Sequence, residues 1–195
     1  MAPAAWADNL VMDGSFETPV ISGTLATITA PGTIGPWDVT NGSVDQIGTL
    51  LWDAADGAQS LDLSGLVAGT IRQNIPTDTD YTYNLRFAMS GNWFAGNLTQ
   101  KTMEVYWGGT LVGSIAMAQP SGWSFTNMQW QDYWITGLPV TGSLTELKFV
   151  SMEDNSYGPA LDNVYLEAVP EPGTLALLAL GLPAFAWWRK RKWDK

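Results

Sequence analysis

Tyr81-Thr82-Tyr83-Asn84-Leu85-Arg86-Phe87-Ala88-Met89-Ser90 is the stretch whose pattern decides the fold. Tyr81, Tyr83, Leu85, Phe87 and Met89 fall on one side of an extended chain, with polar or small residues on the other. A period of two belongs to a strand with one face in a core and one toward water, as in an antiparallel sheet. Similar short runs occur at Trp37 to Thr40, Gln59 to Leu63, Thr70 to Ile75, Thr102 to Trp107, Thr110 to Ala116, Asp132 to Ile135, Leu144 to Ser151 and Asp162 to Glu167. Turn pairs separate them: Asn41-Gly42, Asp56-Gly57, Ser64-Gly65, Gly108-Gly109, Ser121-Gly122 and Thr141-Gly142. No stretch between Asp8 and Ala168 keeps a helical period, and no internal repeat is present. The expected fold is therefore all-β, a sandwich or jelly roll.

The chain has 195 residues, enough for one domain with a sizeable core and too short for two comfortable ones. Its formal net charge is −10, but five of the nine basic residues lie in the last seven positions. From Asp8 to Glu167, Arg72, Arg86, Lys101 and Lys148 stand against seventeen acids, a net of −13. A body this acidic repels nucleic acid, because binding phosphate needs clustered Lys and Arg. There is no cysteine and no histidine, which removes thiolate chemistry, sulfur-bound zinc and the commonest general base. The metal chemistry left is oxygen-only and favours calcium.

The two ends read differently from the body. Residues 1–7 close on Ala5-Trp6-Ala7, which has small residues where a signal peptidase prefers them, placing a cut before Asp8. A signal-peptide remnant and a flexible leader are both consistent with this stretch. At the other end, residues 169–195 run Pro170-Glu171-Pro172, then an apolar segment from Thr174 to Trp188, then Arg189-Lys190-Arg191-Lys192. As a helix those fifteen residues span roughly 22 Å, short of the ~30 Å hydrocarbon core. The basic stop keeps its end cytoplasmic and the acidic domain across the membrane. Motif, short hydrophobic helix and basic tail resemble the PEP-CTERM sorting signal of Gram-negative bacteria. That resemblance implies transient residence in the inner membrane, cleavage near Pro170, Glu171 and Pro172 by an exosortase-type enzyme, and release to the cell surface or extracellular matrix. A simple single-span anchor is the alternative.

Within residues 8–168, four ordered blocks carry a second resemblance: Asn9-Leu10-Val11-Met12-Asp13-Gly14-Ser15-Phe16-Glu17, Trp37 to Asp45, Ala54 to Gly65, and Tyr157-Gly158-Pro159-Ala160-Leu161-Asp162-Asn163-Val164. Together they resemble the bacterial choice-of-anchor C proteins, which group with the galactose-binding-domain-like jelly rolls. The resemblance implies a structural calcium tying the first segment to the last strand. Its ligands would be the Ser15 carbonyl, the Glu17 carboxylate, Asp56, the Gln59 carbonyl and Asp162. A turn-capping Glu17 and an Asp162 bonded to backbone amides are the alternative.

For ligand binding the raw material is aromatic: the chain has eleven tryptophans. Sugar rings stack apolar faces on aromatic rings, while their hydroxyls need amides and carboxylates nearby. The loop Gly91-Asn92-Trp93-Phe94-Ala95-Gly96-Asn97 sets two large aromatics among small and polar residues. It makes Trp93, Phe94, Asn92 and Asn97 the first candidates for a polysaccharide contact, with Trp123, Trp130 and Tyr157 next. Trp37 and Trp107 are expected in the core. Catalysis has little support: Glu104, Asp132, Glu153 and Asp154 have the residue type for glycoside hydrolysis, but no motif marks a pair. The expected function is an exported, non-catalytic carbohydrate-binding protein, with a structural matrix protein lacking a sugar site as the alternative.

Overall fold

The computed structural model describes residues 8–94 and 100–170. They form twelve strands: β1 (Leu25–Thr29), β2 (Gly32–Ile34), β3 (Trp37–Asn41), β4 (Ser43–Gly48), β5 (Gln59–Asp62), β6 (Thr70–Pro76), β7 (Tyr81–Gly91), β8 (Lys101–Trp107), β9 (Thr110–Met117), β10 (Gln131–Leu138), β11 (Leu144–Ser151) and β12 (Pro159–Pro170). The strands make two six-stranded sheets, ordered β1-β4-β5-β12-β7-β10 and β2-β3-β6-β11-β8-β9. Every strand pairing is antiparallel. The protein is an all-β sandwich, as the alternation predicts.

The core lies between the sheets. Tyr83, Leu85, Phe87 and Met89 of β7 are buried and face Ile71, Met103, Val105, Leu147 and Phe149 of the other sheet. Phe87 meets Phe149 edge to face across the sandwich, with ring centroids 5.4 Å apart, a favourable geometry for the ring quadrupoles. Trp37 and Trp107 are buried there as expected, their indole N–H groups donating to the carbonyls of Asp13 and Pro139.

All nine runs read from the alternation are strands, and β1, β2 and β4 are additions. β4 escapes a search for alternation because five of its six residues are buried. Its Gln46 donates to the carbonyls of Phe16 and Pro19, so the opening segment covers its second face. A smaller cluster of Ile47, Trp52, Met128 and Ala160 does the same for neighbouring parts of this sheet.

The opening segment also clasps the last strand. Asn9 Nδ2 donates to the Val164 carbonyl while Asn9 Oδ1 accepts from the Leu166 N–H. Gly14 passes so close that a Cβ there would lie 2.0 Å from the Val164 oxygen, a separation that only glycine permits. β12 runs to Pro170, which pairs with Tyr81. Glu171 and Pro172, the expected hydrophobic helix and basic tail, and residues 1–7 lie outside the described residues. Among the described residues no helix is long and apolar enough to cross a membrane.

Candidate functional site

Chain leaving β7 builds one wall of a pocket at the end of the sandwich. The Asn92 N–H donates to the Gly158 carbonyl, and Asn92 Nδ2 donates to Asp62 Oδ2 at 2.8 Å. Asn92 Oδ1 in turn accepts from the Phe94 N–H at 3.1 Å. With its backbone and side chain both engaged, Asn92 fixes where Phe94 emerges. Phe94 is 52% exposed, and its ring lies 5.5 Å from that of Phe125 and 6.3 Å from that of Tyr157. These three rings rim a cavity of about 350 Å³. Trp52, Leu51 and Leu66 supply apolar lining, and Asp45, Asn92 and Ser156 supply polar lining. An aromatic, mostly apolar concavity with a few fixed polar groups is what recognition of a small ligand or a sugar unit requires.

Beneath it sit two carboxylates on neighbouring strands. Asp45 of β4 and Asp62 of β5 are directly paired in the ladder. Asp45 Oδ1 accepts from the Thr27 hydroxyl, and burial raises the Asp45 carboxyl above the ordinary range. Asp62 is fully buried and accepts from Asn92, the Ser64 N–H and the Gly158 N–H. Desolvation outweighs those donors and pushes Asp62 up to about 7, the charge of Asp45 adding to it. Asp62 thus joins the two walls of the pocket, Asn92 on one side and the turn at Gly158 on the other.

Of the residues singled out for glycan contact, the structure brings Asn92, Phe94 and Tyr157 together at this pocket and corrects Trp93. Trp93 is only 2% exposed and belongs to the main core, edge to face with Trp123 at 5.6 Å. It is not a surface platform, because its ring turns inward where the neighbouring Phe94 turns out. Trp123 stands behind the rim against Phe125, and Trp130 donates to the Asp53 carbonyl. Asn97 lies outside the described residues. Sequence reasoning missed Trp52, Phe125 and Asp45. Phe125 carried the signal that marked Phe94, a large aromatic in the polar loop Ser124-Phe125-Thr126-Asn127.

The five residues named for calcium are gathered around one loop. Glu17 Oε1 accepts from the Ala58 and Gln59 N–H groups, and Asp162 Oδ2 from those of Ala55 and Asp56. The Ser15 hydroxyl donates to Asp56 Oδ2 at 2.7 Å. Gly57 holds the turn at φ +69°, where a Cβ would lie 2.3 Å from Glu17 Oε1. Both carboxylates therefore cap amides of this loop, while among the described residues no three acidic side chains group as a metal site. Asp162 is wholly buried and no Lys or Arg pairs with it among the described residues, so desolvation drives its carboxyl up to about 7. In kind, carboxylate and carbonyl oxygens are the ligands a hard divalent cation takes.

None of the four carboxylates considered for hydrolysis lines the pocket. Glu104 accepts from the Tyr106 hydroxyl, and Glu153 stands 3.9 Å from the buried Lys101 ammonium.

The strands define the chain's class as an all-β sandwich of two antiparallel sheets, with an aromatic-rimmed pocket at its loop end. The chain belongs to the DUF642 family, described as a protein of unknown function, whose model matches residues 9–167. Residues 168–191 match the PEP-CTERM protein-sorting motif, which marks the chain for export and sorting to the cell surface. Halomucin of Haloquadratum walsbyi is 27% identical over 175 residues, 87% of this chain, and the chain spans only 2% of halomucin's length. Among solved structures, the module TmCBM61 in complex with β-1,4-galactotriose is similar at a TM-score of 0.51 and 15% identity, covering 83% of this chain and 99% of that one. A family 35 carbohydrate-binding module from Clostridium thermocellum gives 0.50 and 14%, with 74% and 98% covered. A cyclase from Fischerella sp. TAU gives 0.57 and 13%, with 85% and 98% covered. These likenesses establish the fold, and since binding modules and a cyclase share it, the fold alone does not choose between binding and catalysis.

Proposed function

We propose that this protein is an exported, non-catalytic glycan-binding module of the cell surface or extracellular matrix, and that its site is the pocket rimmed by Phe94, Phe125 and Tyr157. The observation that carries this reading is the Phe94 ring, half exposed and held by the Asn92 bonds above a pocket with both apolar and polar lining. A pyranose ring has that same division, an apolar C–H face and a polar hydroxyl edge. Isothermal calorimetry against polysaccharide purified from the producing cells tests it. Heat of binding is expected for the wild type, with a loss of tenfold or more in affinity for Phe94→Ala. No heat, or an unchanged affinity in the variant, overturns it and favours a structural matrix protein without a sugar site.

Delivery would follow the sorting motif: a Gram-negative inner-membrane intermediate, cleavage near Pro170 to Pro172 by an exosortase-type enzyme, then release. Mass spectrometry of protein recovered from the culture should find a C-terminus near Pro172, and an intact Lys195 would refute processing. The choice-of-anchor C resemblance and the calcium it implies form part of the same reading. Ser15, Glu17, Asp56, Gln59 and Asp162 would hold the ion as a staple between the opening segment, the 55–59 loop and β12. A chelator should then lower the melting midpoint, because the ion binds only the folded state.

A further inference from the structure

The charge around the pocket limits which glycan it takes, on the reading that it takes a glycan. Among the described residues, Asp45 is the one Asp or Glu in the lining, and no Lys or Arg lines it. The four basic residues of the body are engaged elsewhere. Arg72 pairs with Asp38 and Glu146, and Lys148 with Glu146 while lying over the Tyr106 ring. Arg86 is held between Trp134 and Tyr165, and Lys101 is buried beside Glu153. Lys101 feels the charge of Asp62 as well as that of Glu153, and among the described residues no Lys or Arg forms a salt bridge with Asp45.

We propose that the pocket selects sugar units bearing a free amino group, the ammonium pairing with Asp45 beneath the Phe94, Phe125 and Tyr157 rings. A carboxylate and aromatic faces both favour a cation, and the pairing is strongest where water is displaced. A uronic acid would bring a second negative charge against Asp45 and into the field of a domain with a net of −13. An N-acetylated sugar keeps the stacking and forgoes the ion pair. Asp45 supplies the discrimination and the rings supply binding common to all three.

Four tetrasaccharides, of glucosamine, N-acetylglucosamine, glucose and galacturonic acid, titrated into the full chain in 150 mM salt, test the proposal. Glucosamine should bind about tenfold more tightly than the two neutral oligomers, the ratio expected for one charge-assisted contact. Galacturonate should bind weakest. Asp45→Asn should bring glucosamine down to the neutral level, and Asp132→Asn on β10, outside the pocket, should leave the ratio unchanged and so separate a local pair from attraction to an acidic body. Asparagine at position 45 retains an acceptor for Thr27, and the wild-type comparison stands without the variant. Neutral sugars binding with no preference for the amine, or a preference that survives Asp45→Asn, overturns the selectivity and leaves the glycan site standing. No binding by any of the four overturns the selectivity, and the absence of heat with the producing cells' polysaccharide as well overturns both.

Discussion

Asp162 makes the stability of this domain depend on pH in an unusual direction. Its carboxyl is wholly buried and raised from 3.8 to about 7, chiefly by desolvation. In the unfolded chain it titrates near its ordinary value. Between those two values the native protein holds a proton that the unfolded chain has released, so stability falls as pH rises, and the full cost is present above 7. Starting at pH 5, the group crosses about two units before it titrates. At about 1.4 kcal/mol per unit that is on the order of 3 kcal/mol, roughly 5 to 10 °C in Tm for a domain of this size. Asp62, also raised to about 7, adds a similar slope. Thermal melts in chelator from pH 5 to pH 8 should therefore show Tm falling steadily. Asp162→Asn cannot ionise and should remove about half of that slope, keeping an oxygen for the Ala55 and Asp56 amides. A wild-type Tm that rises over this range, or a variant profile parallel to the wild type, would refute the assignment of a protonated Asp162.

Trp93→Ala should cost about 3 to 5 kcal/mol, the usual range for emptying a buried aromatic site, visible as a lower denaturation midpoint. Phe94→Ala should move that midpoint by far less, because its ring is half exposed; the two melts together check which aromatic faces solvent. Gly57→Ala should destabilise by about 1 to 3 kcal/mol, since an alanine at φ +69° is strained and its Cβ displaces Glu17 from the loop amides. If calcium binds at Asp162, the Tm gained from calcium should be larger at pH 8 than at pH 5, because the ion takes the ionised carboxylate; equal gains would place any bound ion elsewhere.

The sandwich was legible wherever a strand kept one face in the core and the other toward water. In β8 and β11 buried and less buried residues alternate, so period-two hydrophobicity marks them. β4 lies inside the protein on both faces, and Ser43 and Gln46 are buried there by hydrogen bonds rather than by hydrophobicity, whereas β5, equally buried, was still marked by its short run from Gln59 to Leu63. Gln46 and Gln59 both donate to the carbonyls of Phe16 and Pro19, an arrangement between distant segments that no local pattern encodes. β1 fails for a different reason: it is an edge strand whose residues are all exposed or half-buried, so selection for an apolar face is weak.

The site divides along the same line. Composition pointed to the Asn92 loop because it sets two large aromatics in polar surroundings; Trp93 lies in the core and Phe94 faces the pocket. Adjacent side chains leaving a strand point to opposite sides, so placing one of the pair in the core sends the other outward. Which goes in depends on the far side of the contact. Trp123 offers its ring to Trp93, while Phe125 and Tyr157 flank Phe94, and these partners are roughly 30 to 60 positions away in the chain. Asp45 was hidden because an isolated aspartate in a strand carries no motif; it becomes informative only once the ladder sets it opposite Asp62 in a pocket that, among the described residues, no positive side chain lines. Aromatic content therefore points only to the loop that rims the pocket, while the charge in that pocket is a property of the fold, and titration of Asp45→Asn tests whether it confers a preference.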